Sequence, residues 1–537
     1  MRHASVRWLV MGSFMALASA GILATAQETP GAADVPEPMP VSDGTKVCLV
    51  CHGAKSGGGM GIYPAIAMQW EGSRHAQAGV GCLECHGVPE EFAGEDVDNP
   101  RYVTETAWDQ TTGLKSTTLV TDGSGPVVRP DIWHHGGADI VVAVSPKSCA
   151  QCHPTEAEEL YRSRHSSAGQ FLGSVGNFLG RYAEGPAAAI NGCQQCHGGP
   201  VLMAAEQPTN ESLAPVYAAD TWPNSGVGRI NPDGSWGACA ACHARHEFSA
   251  ATARRPENCG KCHMGPDHPQ SEIYKESKHG IAYDANRDSL DIDVPGGEWV
   301  LGETYANAPT CSSCHMGPVG AHFGSKGLPL THDVGARISW TLRPELSYQP
   351  AAIVDTDGEA WLKAPEERRD EMRQTCLACH GDNWVESFYT QYDQAVELYN
   401  NKYAKPMMAI YQFLSEQGII DDVPMNDEID YLYYELWHHE GRRARHGAAM
   451  MGPDYVHWHG FYEMTRHFYT EFLPLAMELG EAAGKGAETE AFIETTLRGE
   501  DGQDWERYHR WTEGLTAEQR EEMLRWERAV YGGIHTE

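Results

Sequence analysis

Cysteine and histidine recur in this sequence at one fixed spacing. All 16 cysteines lie in Cys-x-x-Cys-His motifs, eight in total, and none is left over. Two thiols at this spacing can bond the vinyl groups of a porphyrin while the histidine ligates its iron. One such motif is also compatible with a chance match or half a zinc site, but eight leave almost no room for a disulfide scaffold. The pattern predicts eight c-type hemes, attached at Cys48/Cys51/His52, Cys82/Cys85/His86, Cys149/Cys152/His153, Cys193/Cys196/His197, Cys239/Cys242/His243, Cys259/Cys262/His263, Cys311/Cys314/His315 and Cys376/Cys379/His380.

A carboxylate and an imidazole follow the sixth motif directly. Asp267 and His268 stand between Pro266 and Pro269. Fixed near a heme iron, such a pair can take protons from a small nitrogenous or oxygenated substrate. The segment by itself favours a plainer reading, an exposed turn in which Asp267 caps a helix.

Each electron-transfer heme needs a second ligand on the far side of its iron. Of 26 histidines, eighteen lie outside the eight motifs, since 26 − 8 = 18. Two imidazoles hold an iron six-coordinate in both oxidation states. Three of the eighteen share a Ser-Arg-His or Ser-Lys-His setting, which indicates one repeated structural role. The predicted ligands are His75, His165, His279, His246, His332, His446 and His459, with His322 in reserve.

The segments between the motifs are rich in Gly, Pro and Asn and show few alternating runs, the main one being Ile140 to Val144. They predict short helices and loops that form a core around porphyrins. We therefore expect a mainly α, multiheme cytochrome c fold, with an octaheme-binding catalytic domain over residues 43–383.

After His380 the cysteines stop and helical periodicity begins. Helices are predicted from about 385 to 417, with Pro406 as a kink or break, from about 426 to 450, and from Pro453 towards 479. Weaker helices are predicted at about 487–498 and 516–531. Residues 384–537 are expected to form a C-terminal bundle of long helices that packs on the heme domain and on neighbouring subunits; the alternative is a monomeric cap.

The first 26 residues have a basic start, an apolar run and a small-residue cleavage site, which predicts a secretory signal peptide rather than a membrane anchor. Residues 27–42 read as an extended leader. Covalent heme attachment of this kind takes place outside the bacterial cytoplasm. The mature protein is therefore expected to be periplasmic or otherwise extracytoplasmic and soluble, with no integral membrane segment after cleavage.

The chain carries a formal net charge of −34. Phosphate binding needs a basic surface, so nucleic acid is excluded as an expected partner. A basic redox partner is compatible with this charge, as is simple solubility of a secreted protein.

The C-terminal helices carry an unusual stretch, residues 437–469. Within it Tyr455, His459, Tyr462 and Arg466 share one helix face. This face can present a histidine to one heme and a tyrosine to another, although a tyrosine near a heme is more often a packing residue.

Two segments outside the motifs resemble the octaheme hydroxylamine oxidoreductase family, of which hydrazine dehydrogenase is a close relative. They read CHMGPDHPQSEIYKESKHG from Cys262 and RRARHGAAMMGPDYVHWHG from Arg442. The resemblance covers essentially the whole chain after the signal peptide. It implies that seven hemes carry electrons between two histidines each. It also implies that the heme of the fourth motif, with His197 as proximal ligand, is five-coordinate and catalytic.

The resemblance further implies roles for individual residues. Asp267 and His268 match the distal acid/base pair, and Tyr348 matches a third distal residue. Family members form homotrimers in which a tyrosine of a neighbouring subunit is bonded to the catalytic porphyrin. That tyrosine is placed at Tyr455, with Tyr462 as second choice; it is missing in ammonia-forming relatives.

The expected function is oxidation of hydroxylamine to nitric oxide or nitrite at a modified, tyrosine-linked heme, with electrons passed to an acceptor cytochrome c. Hydrazine oxidation to dinitrogen is the nearest alternative. A reductive, ammonia-forming nitrite or hydroxylamine reductase comes next. A non-catalytic conduit with two histidines on every iron is the alternative from another class.

Overall fold

The structure is a computed structural model that describes residues 39–53, 61–88, 102–108, 115–121, 131–173, 178–210, 213–322, 325–342, 346–349, 352–354 and 360–532. The predicted signal peptide lies outside the described residues, and so does the leader up to residue 38.

The heme-motif region consists of short helices joined by loops. Six of them begin with a proline, which fits the first turn because its missing N–H would have no helical partner there. The α-helices are Asp43–His52, Pro64–Glu71, Arg74–Gln77, Cys82–His86, Pro146–Ala150, Pro154–Arg162, Ala168–Gly173, Pro186–Asn191, Cys193–His197, Ala250–Arg254, Pro256–Gly260, Gln270–Glu276, Lys278–Asn286, Cys311–His315 and Pro365–Leu377. Shorter 3-10 turns lie at Cys239–Ala241, Arg287–Ser289 and Gly296–Glu298, and a π turn at Leu179–Ala183.

The strands form three antiparallel pairs. They are Tyr102–Trp108 with Lys115–Thr121, Ile132–His135 with Ala138–Val141, and Ile353–Val354 with Ala360–Leu362. The second pair contains most of the alternating run expected near Ile140. Its turn is Gly136–Gly137, both with positive φ (64° and 84°), the backbone that a two-residue hairpin turn requires.

The C-terminal region is built from long helical segments interrupted by π turns. The α-helices are Asp382–Tyr399, Lys405–Glu416, Glu428–Glu435, Gly441–Met450, Pro453–Val456, Glu463–His467, Leu473–Ala482, Gly486–Arg498 and Ala517–Tyr531. The π turns are Asn400–Ala404, Leu436–Glu440, His457–Tyr462, Phe468–Phe472 and Trp505–His509, and 3-10 turns lie at Glu500–Gly502 and Arg510–Glu513.

These segments follow the predicted helices closely. The first runs through Pro406 without a break, because the π turn just before the proline changes the hydrogen-bond pattern where Pro406 lacks a donor. The second spans 428–450 and the third 453–482, each with π turns inside. The mainly α character expected from the sequence is confirmed.

One hydrophobic cluster lies among the C-terminal helices. Its fully buried members include Tyr399, Ile410, Leu414, Phe468 and Phe472. Among the described residues, no helix is both long and apolar enough to cross a membrane.

Candidate functional site

A cavity of about 2570 Å³ runs through the heme-motif region. Its walls carry both cysteines and the histidine of seven motifs: the first, second and third, and the fifth to the eighth. Seven further histidines lie on the same walls, namely His75, His135, His165, His246, His279, His332 and His446. The cavity therefore offers one additional histidine for each of the seven motifs.

Six pairs of histidine rings, each joining a motif histidine to another histidine of the cavity wall, have the spacing that an iron between them requires. His263 and His268 also lie 6.2 Å apart, but both nitrogens of His268 face other acceptors. Imidazole nitrogen binds a metal at about 2.0 Å and lies about 1.1 Å from its ring centre, so two rings on one iron have centres roughly 6.2 Å apart. The observed distances between ring centres are 6.0–6.4 Å. The pairs are His52 with His135, His153 with His75, His86 with His246, His263 with His165, His243 with His332, and His380 with His279. The residues thus fit hemes held by two histidines.

His135 was missed from the sequence. It stands at the end of the Ile132–His135 strand, and the turn at Gly136–Gly137 directs it back to the first motif. Its ring lies 6.1 Å from that of His52. The sequence did contain a signal for this role. Two consecutive glycines follow Trp133 and two histidines, and such a glycine pair marks a tight hairpin that holds the preceding histidine at its end.

The seventh motif shares the cavity with His446. Both histidines are partly buried, and the Nε2 atom of His446 lies 3.2 Å from the amide nitrogen of Gln270. The predicted role of His446 as a ligand, here for the heme of His315, stays a prediction.

The role predicted for His459 as an iron ligand stays a prediction. The sequence predicts it as a ligand, but it does not lie on the walls of the heme cavity. Its Nδ1 atom lies 3.2 Å from Glu463 and its Nε2 atom 3.4 Å from Asp454, so carboxylates face both nitrogens. The reserve candidate, His322, lies 3.0 Å through Nε2 from the carbonyl oxygen of Gln374.

The fourth motif, on helix Cys193–His197, does not line this cavity. The segment after it folds back on the motif, where the N–H groups of Val227 and Gly228 donate to the carbonyl oxygens of Cys196 and His197 at 2.9 and 3.0 Å. Gly198 has φ +82°, and a Cβ there would come within 2.6 Å of backbone nitrogen of Arg229. The close approach of the two segments therefore depends on glycine.

Asp267 and His268 lie between their own motif and the fourth, and they interact with both. Burial lowers the pKa of His197, the charge of His268 lowers it further, and the carboxylate of Asp267 acts to raise it. Burial raises the pKa of Cys193, and the charges of Glu184 and Asp267 raise it to a smaller extent. The acid/base pair is therefore close enough to His197 and Cys193 to influence both side chains.

The two side chains are hydrogen-bonded to each other through Nδ1 of His268. The Nε2 atom of His268 lies 2.8 Å from the carbonyl oxygen of Cys262. Both ring nitrogens thus face hydrogen-bond acceptors. An imidazole that carries a proton on each nitrogen can donate to both of them. His268 is held where it can carry a proton.

The second oxygen of Asp267 faces two cations or potential cations from the 428–450 helix. The distances are 3.6 Å to Nε2 of His438 and 3.7 Å to a terminal nitrogen of Arg442. Burial acts to raise the pKa of Asp267, but the hydrogen bond from His268 and the positive charge of Arg442 act against it. They hold the pKa well below its usual range, so Asp267 is a carboxylate.

The contributions of Tyr434, His438 and Arg442 were missed from the sequence. The hydroxyl of Tyr434 lies 3.2 Å from Nε2 of His438, and the two rings stack with centres 4.3 Å apart. Burial and then the charge of Arg442 lower the pKa of His438 to about 2, so its ring is neutral. All three residues lie at or beside the π turn Leu436–Glu440, a type of helix irregularity that is frequent at functional sites. A π turn leaves no clear pattern in the sequence.

The two predicted tyrosines lie elsewhere in the structure. The backbone carbonyl of Tyr348 accepts a 2.9 Å hydrogen bond from Thr341, and its neighbour Ser347 is bonded to Asn400. Tyr455 is partly buried, its backbone N–H lies 3.3 Å from Glu276, and its ring centre is 5.2 Å from that of His459. The predicted roles of Tyr348 and Tyr455 stay predictions.

Comparisons with known proteins agree with this geometry. The family described as "Seven times multi-haem cytochrome CxxCH" matches residues 233–426, and "Cytochrome c7 and related cytochrome c" matches residues 182–264. A solved structure described as a hypothetical multiheme protein is 23% identical, with a TM-score of 0.65, over 85% of this chain and 100% of that one.

Two proteins of Kuenenia stuttgartiensis are also similar. A probable nitrite reductase-hydroxylamine oxidoreductase fusion protein is 25% identical over 292 residues, which are 51% of this chain and 29% of that protein. A reducing HAO-like (hydroxylamine oxidoreductase-like) protein complex is 19% identical, with a TM-score of 0.51, over 84% of this chain and 90% of that one. The chain is therefore similar to multiheme c-type cytochromes, and among them to proteins described as HAO-like. The similarity covers less than a third of the fusion protein's length.

The family resemblance found in the sequence is thereby confirmed, and so is the presence of several c-type hemes in this HAO-like cytochrome.

Proposed function

We propose that this HAO-like cytochrome oxidises hydroxylamine at the heme of the fourth motif. The observation that carries the proposal is the acid/base cluster of Asp267 and His268 beside Cys193 and His197, outside the cavity that the other seven motifs share. Cys193 and Cys196 would hold the porphyrin and His197 would ligate its iron. A heme bound there supplies a site for the substrate nitrogen and an outlet for its electrons.

The protein's own residues would manage the protons. Oxidation of hydroxylamine to nitric oxide releases three protons and three electrons. Oxidation to nitrite, which consumes one water, releases five protons and four electrons in total. The carboxylate of Asp267 fixes His268 in one orientation and balances its charge. His268 can then exchange a proton with the substrate, with the Asp267 carboxylate as its partner.

The seven remaining motifs would carry the electrons away. They share one cavity, and six of them have a second histidine at the distance expected for ligation. Electrons would leave to an acceptor cytochrome c outside the cytoplasm. The eighth heme, the acceptor and the extracytoplasmic location are parts of this proposal.

We further propose a homotrimer in which Tyr455 bonds the catalytic porphyrin of a neighbouring subunit. The surface around Tyr455 supports this, because Trp458 and Tyr462 nearby are 53% and 51% exposed in the single chain. A bond to the macrocycle would change its potential, one of the protein's means of tuning a heme. In the family this bond accompanies oxidation.

The bond has its own test. Tyr455→Phe should remove the altered optical band of the catalytic heme and the heme-linked trimer on denaturing electrophoresis, whereas Tyr462→Phe should retain both. An unchanged spectrum in Tyr455→Phe would move the assignment to Tyr462 or remove the bond.

Reduction of nitrite or hydroxylamine to ammonia is the second candidate. The relatives described as a nitrite reductase-hydroxylamine oxidoreductase fusion and a reducing HAO-like complex favour it. The same cluster would then donate protons instead of accepting them.

A steady-state comparison separates the candidates. The holoprotein is assayed with hydroxylamine and hydrazine plus an oxidised acceptor, and with nitrite plus a reductant, and the products are identified. We expect the fastest turnover with hydroxylamine, together with a high-spin ferric heme in the spectrum. Asp267→Asn should lower turnover with all hemes bound. A fully low-spin spectrum without turnover on any substrate would instead indicate an electron conduit.

A further inference from the structure

A second, polar cavity of about 500 Å³ lies between the 428–450 and 457–472 helical segments. Its lining is almost entirely charged or titratable: Glu435, His439, Glu440, Arg443, Tyr462, Glu463, Arg466 and His467. Glu440 is only 3% exposed. One of its oxygens lies 3.0 Å from Nδ1 of His467, and the other is buried and has no hydrogen-bond partner among the described residues.

Two consecutive histidines connect this cavity with the distal site. His438 faces Asp267, with 3.6 Å between Nε2 and the carboxylate oxygen. His439 lines the polar cavity. The centres of the two rings are 5.5 Å apart, within reach of one bridging water. Nδ1 of His438 is buried and has no hydrogen-bond partner in the described part of the chain.

We propose that His438 and His439 conduct protons between the Asp267–His268 pair and the polar cavity. The proposal rests on the proposed function, in which substrate oxidation releases protons at His268. A proton passes from His268 to Asp267 and on to Nε2 of His438. As that nitrogen gains a proton, Nδ1 releases one towards His439, and the proton leaves through the carboxylates and water of the cavity. Only protons move; nothing is oxidised or reduced in the relay.

The surroundings of His438 suit transfer rather than storage of a proton. Arg442 and His439 from its own helix, and His268 from the segment behind the sixth motif, all disfavour a charge on the ring, while Asp267 favours one. A neutral imidazole has one accepting and one donating nitrogen, so it can take and release a proton in one step. The hydroxyl of Tyr434, 3.2 Å from Nε2, fixes the ring without offering an exit.

Arg442 and Arg443 lie along the same path but cannot replace the histidines. A guanidinium keeps its protons in proteins and has no accepting atom. Arg443 is instead bound to the carbonyl oxygen of Pro266 at 2.7 Å and to Glu463 at 2.7 Å, so it joins the distal segment to the wall of the cavity.

The test is chemical rescue in the holoenzyme. His438→Ala and His439→Ala are compared with His457→Ala, an exposed histidine of the neighbouring π turn. We expect kcat for hydroxylamine to fall roughly 100-fold in His438→Ala, the low end of what a positioned proton-transfer group contributes, and to change little in His457→Ala. Added imidazole should restore most of the loss, and the solvent deuterium isotope effect should increase, with the ferric spectrum and heme content unchanged.

The outcomes separate the relay from the proposed function. Wild-type turnover of hydroxylamine tests the function, and its absence would overturn that proposal whatever the variants do. With an active wild type, undiminished turnover in His438→Ala would overturn the relay. So would a loss that imidazole does not restore and that leaves the isotope effect unchanged, since this would show a positioning role. If His438→Ala does not fold, His438→Gln, which keeps a hydrogen-bonding side chain of similar length, replaces it.

Discussion

The C-terminal helices and the heme-motif region bury hydrophobic side chains in different ways. Sixteen buried side chains form one cluster among the helices after Asp382. In residues 143–319 the buried clusters hold only three to five side chains each. The same region contains the cavity of about 2570 Å³. The C-terminal helices therefore have a hydrophobic core of their own. The heme-motif region instead surrounds a cavity that porphyrins can occupy.

The size of that space decides what must fill it. Porphyrins seated in this space would bury the apolar side chains of its walls, at about 25 cal/mol per Å² of apolar surface removed from water. Net stabilities of folded domains are only about 5–15 kcal/mol. The heme-motif region therefore depends on its porphyrins for folding as well as for electron transfer.

Loss of a central heme should have the largest effect, because it should unfold the heme-motif region and leave the C-terminal helices folded. We expect the double substitution Cys311→Ser and Cys314→Ser to abolish the native fold of the heme-motif region, because both thiols are buried in the cavity wall. Limited proteolysis followed by mass spectrometry should show early cleavage before residue 380 and later cleavage of 382–531. The same change at Cys48 and Cys51, where Cys51 is exposed, should be milder. Simultaneous digestion of both halves would contradict the comparison.

A large-to-small change inside the helical cluster should act as in an ordinary protein core. Phe468 is fully buried, so Phe468→Ala should reduce the free energy of unfolding by about 3–5 kcal/mol without loss of heme. Denaturant unfolding measures the change. Trp526→Ala is the control: Trp526 is 61% exposed, and we expect about 0.5 kcal/mol or less. A loss of heme in Phe468→Ala would show that heme binding depends on the core of the C-terminal helices.

A ligand change in the heme-motif region should alter one heme and leave the fold intact. His135→Ala removes the ring paired with His52 and should convert one low-spin heme to high spin. Electron paramagnetic resonance measures the conversion. The adjacent His134 is exposed and paired with Asp139 at 2.8 Å, so His134→Ala should leave the spectrum unchanged. A fully low-spin His135→Ala spectrum would refute the pairing.

The smallest expected effect is a pH-dependent contribution to stability from one ion pair among the C-terminal helices. The hydrogen bond with Glu440 raises the pKa of His467. The pair should therefore stabilise the fold fully below the unfolded pKa of about 6.5 and lose this contribution as pH rises through the higher folded pKa. The difference in Tm between wild type and Glu440→Gln should be larger at about pH 6 than at about pH 9. Glu494→Gln, which affects an exposed pair with Arg498, should show little difference at either pH.

The sequence predicted the helical half well and the heme half only in part. Apolar spacing identified the helices at 382–416, 428–450 and 453–482, because each buries one face against the same cluster. It did not reveal the π turns. In the heme half, five of the seven predicted second histidines lie at the expected distance from a motif histidine. His135 was missed, and His459 lies outside the cavity that holds the other predicted ligands.

The reason lies in the range of each interaction. A heme attachment motif is complete within five residues, so the sequence alone determined the cofactor class, while the family resemblance singled out Asp267 and His268. A second iron ligand comes from elsewhere in the chain, as His246 does for His86. Only the tertiary structure could therefore decide between His135 and His459. It alone also brought His438 and Arg442 to Asp267, because a contact across about 170 residues leaves no local spacing to read.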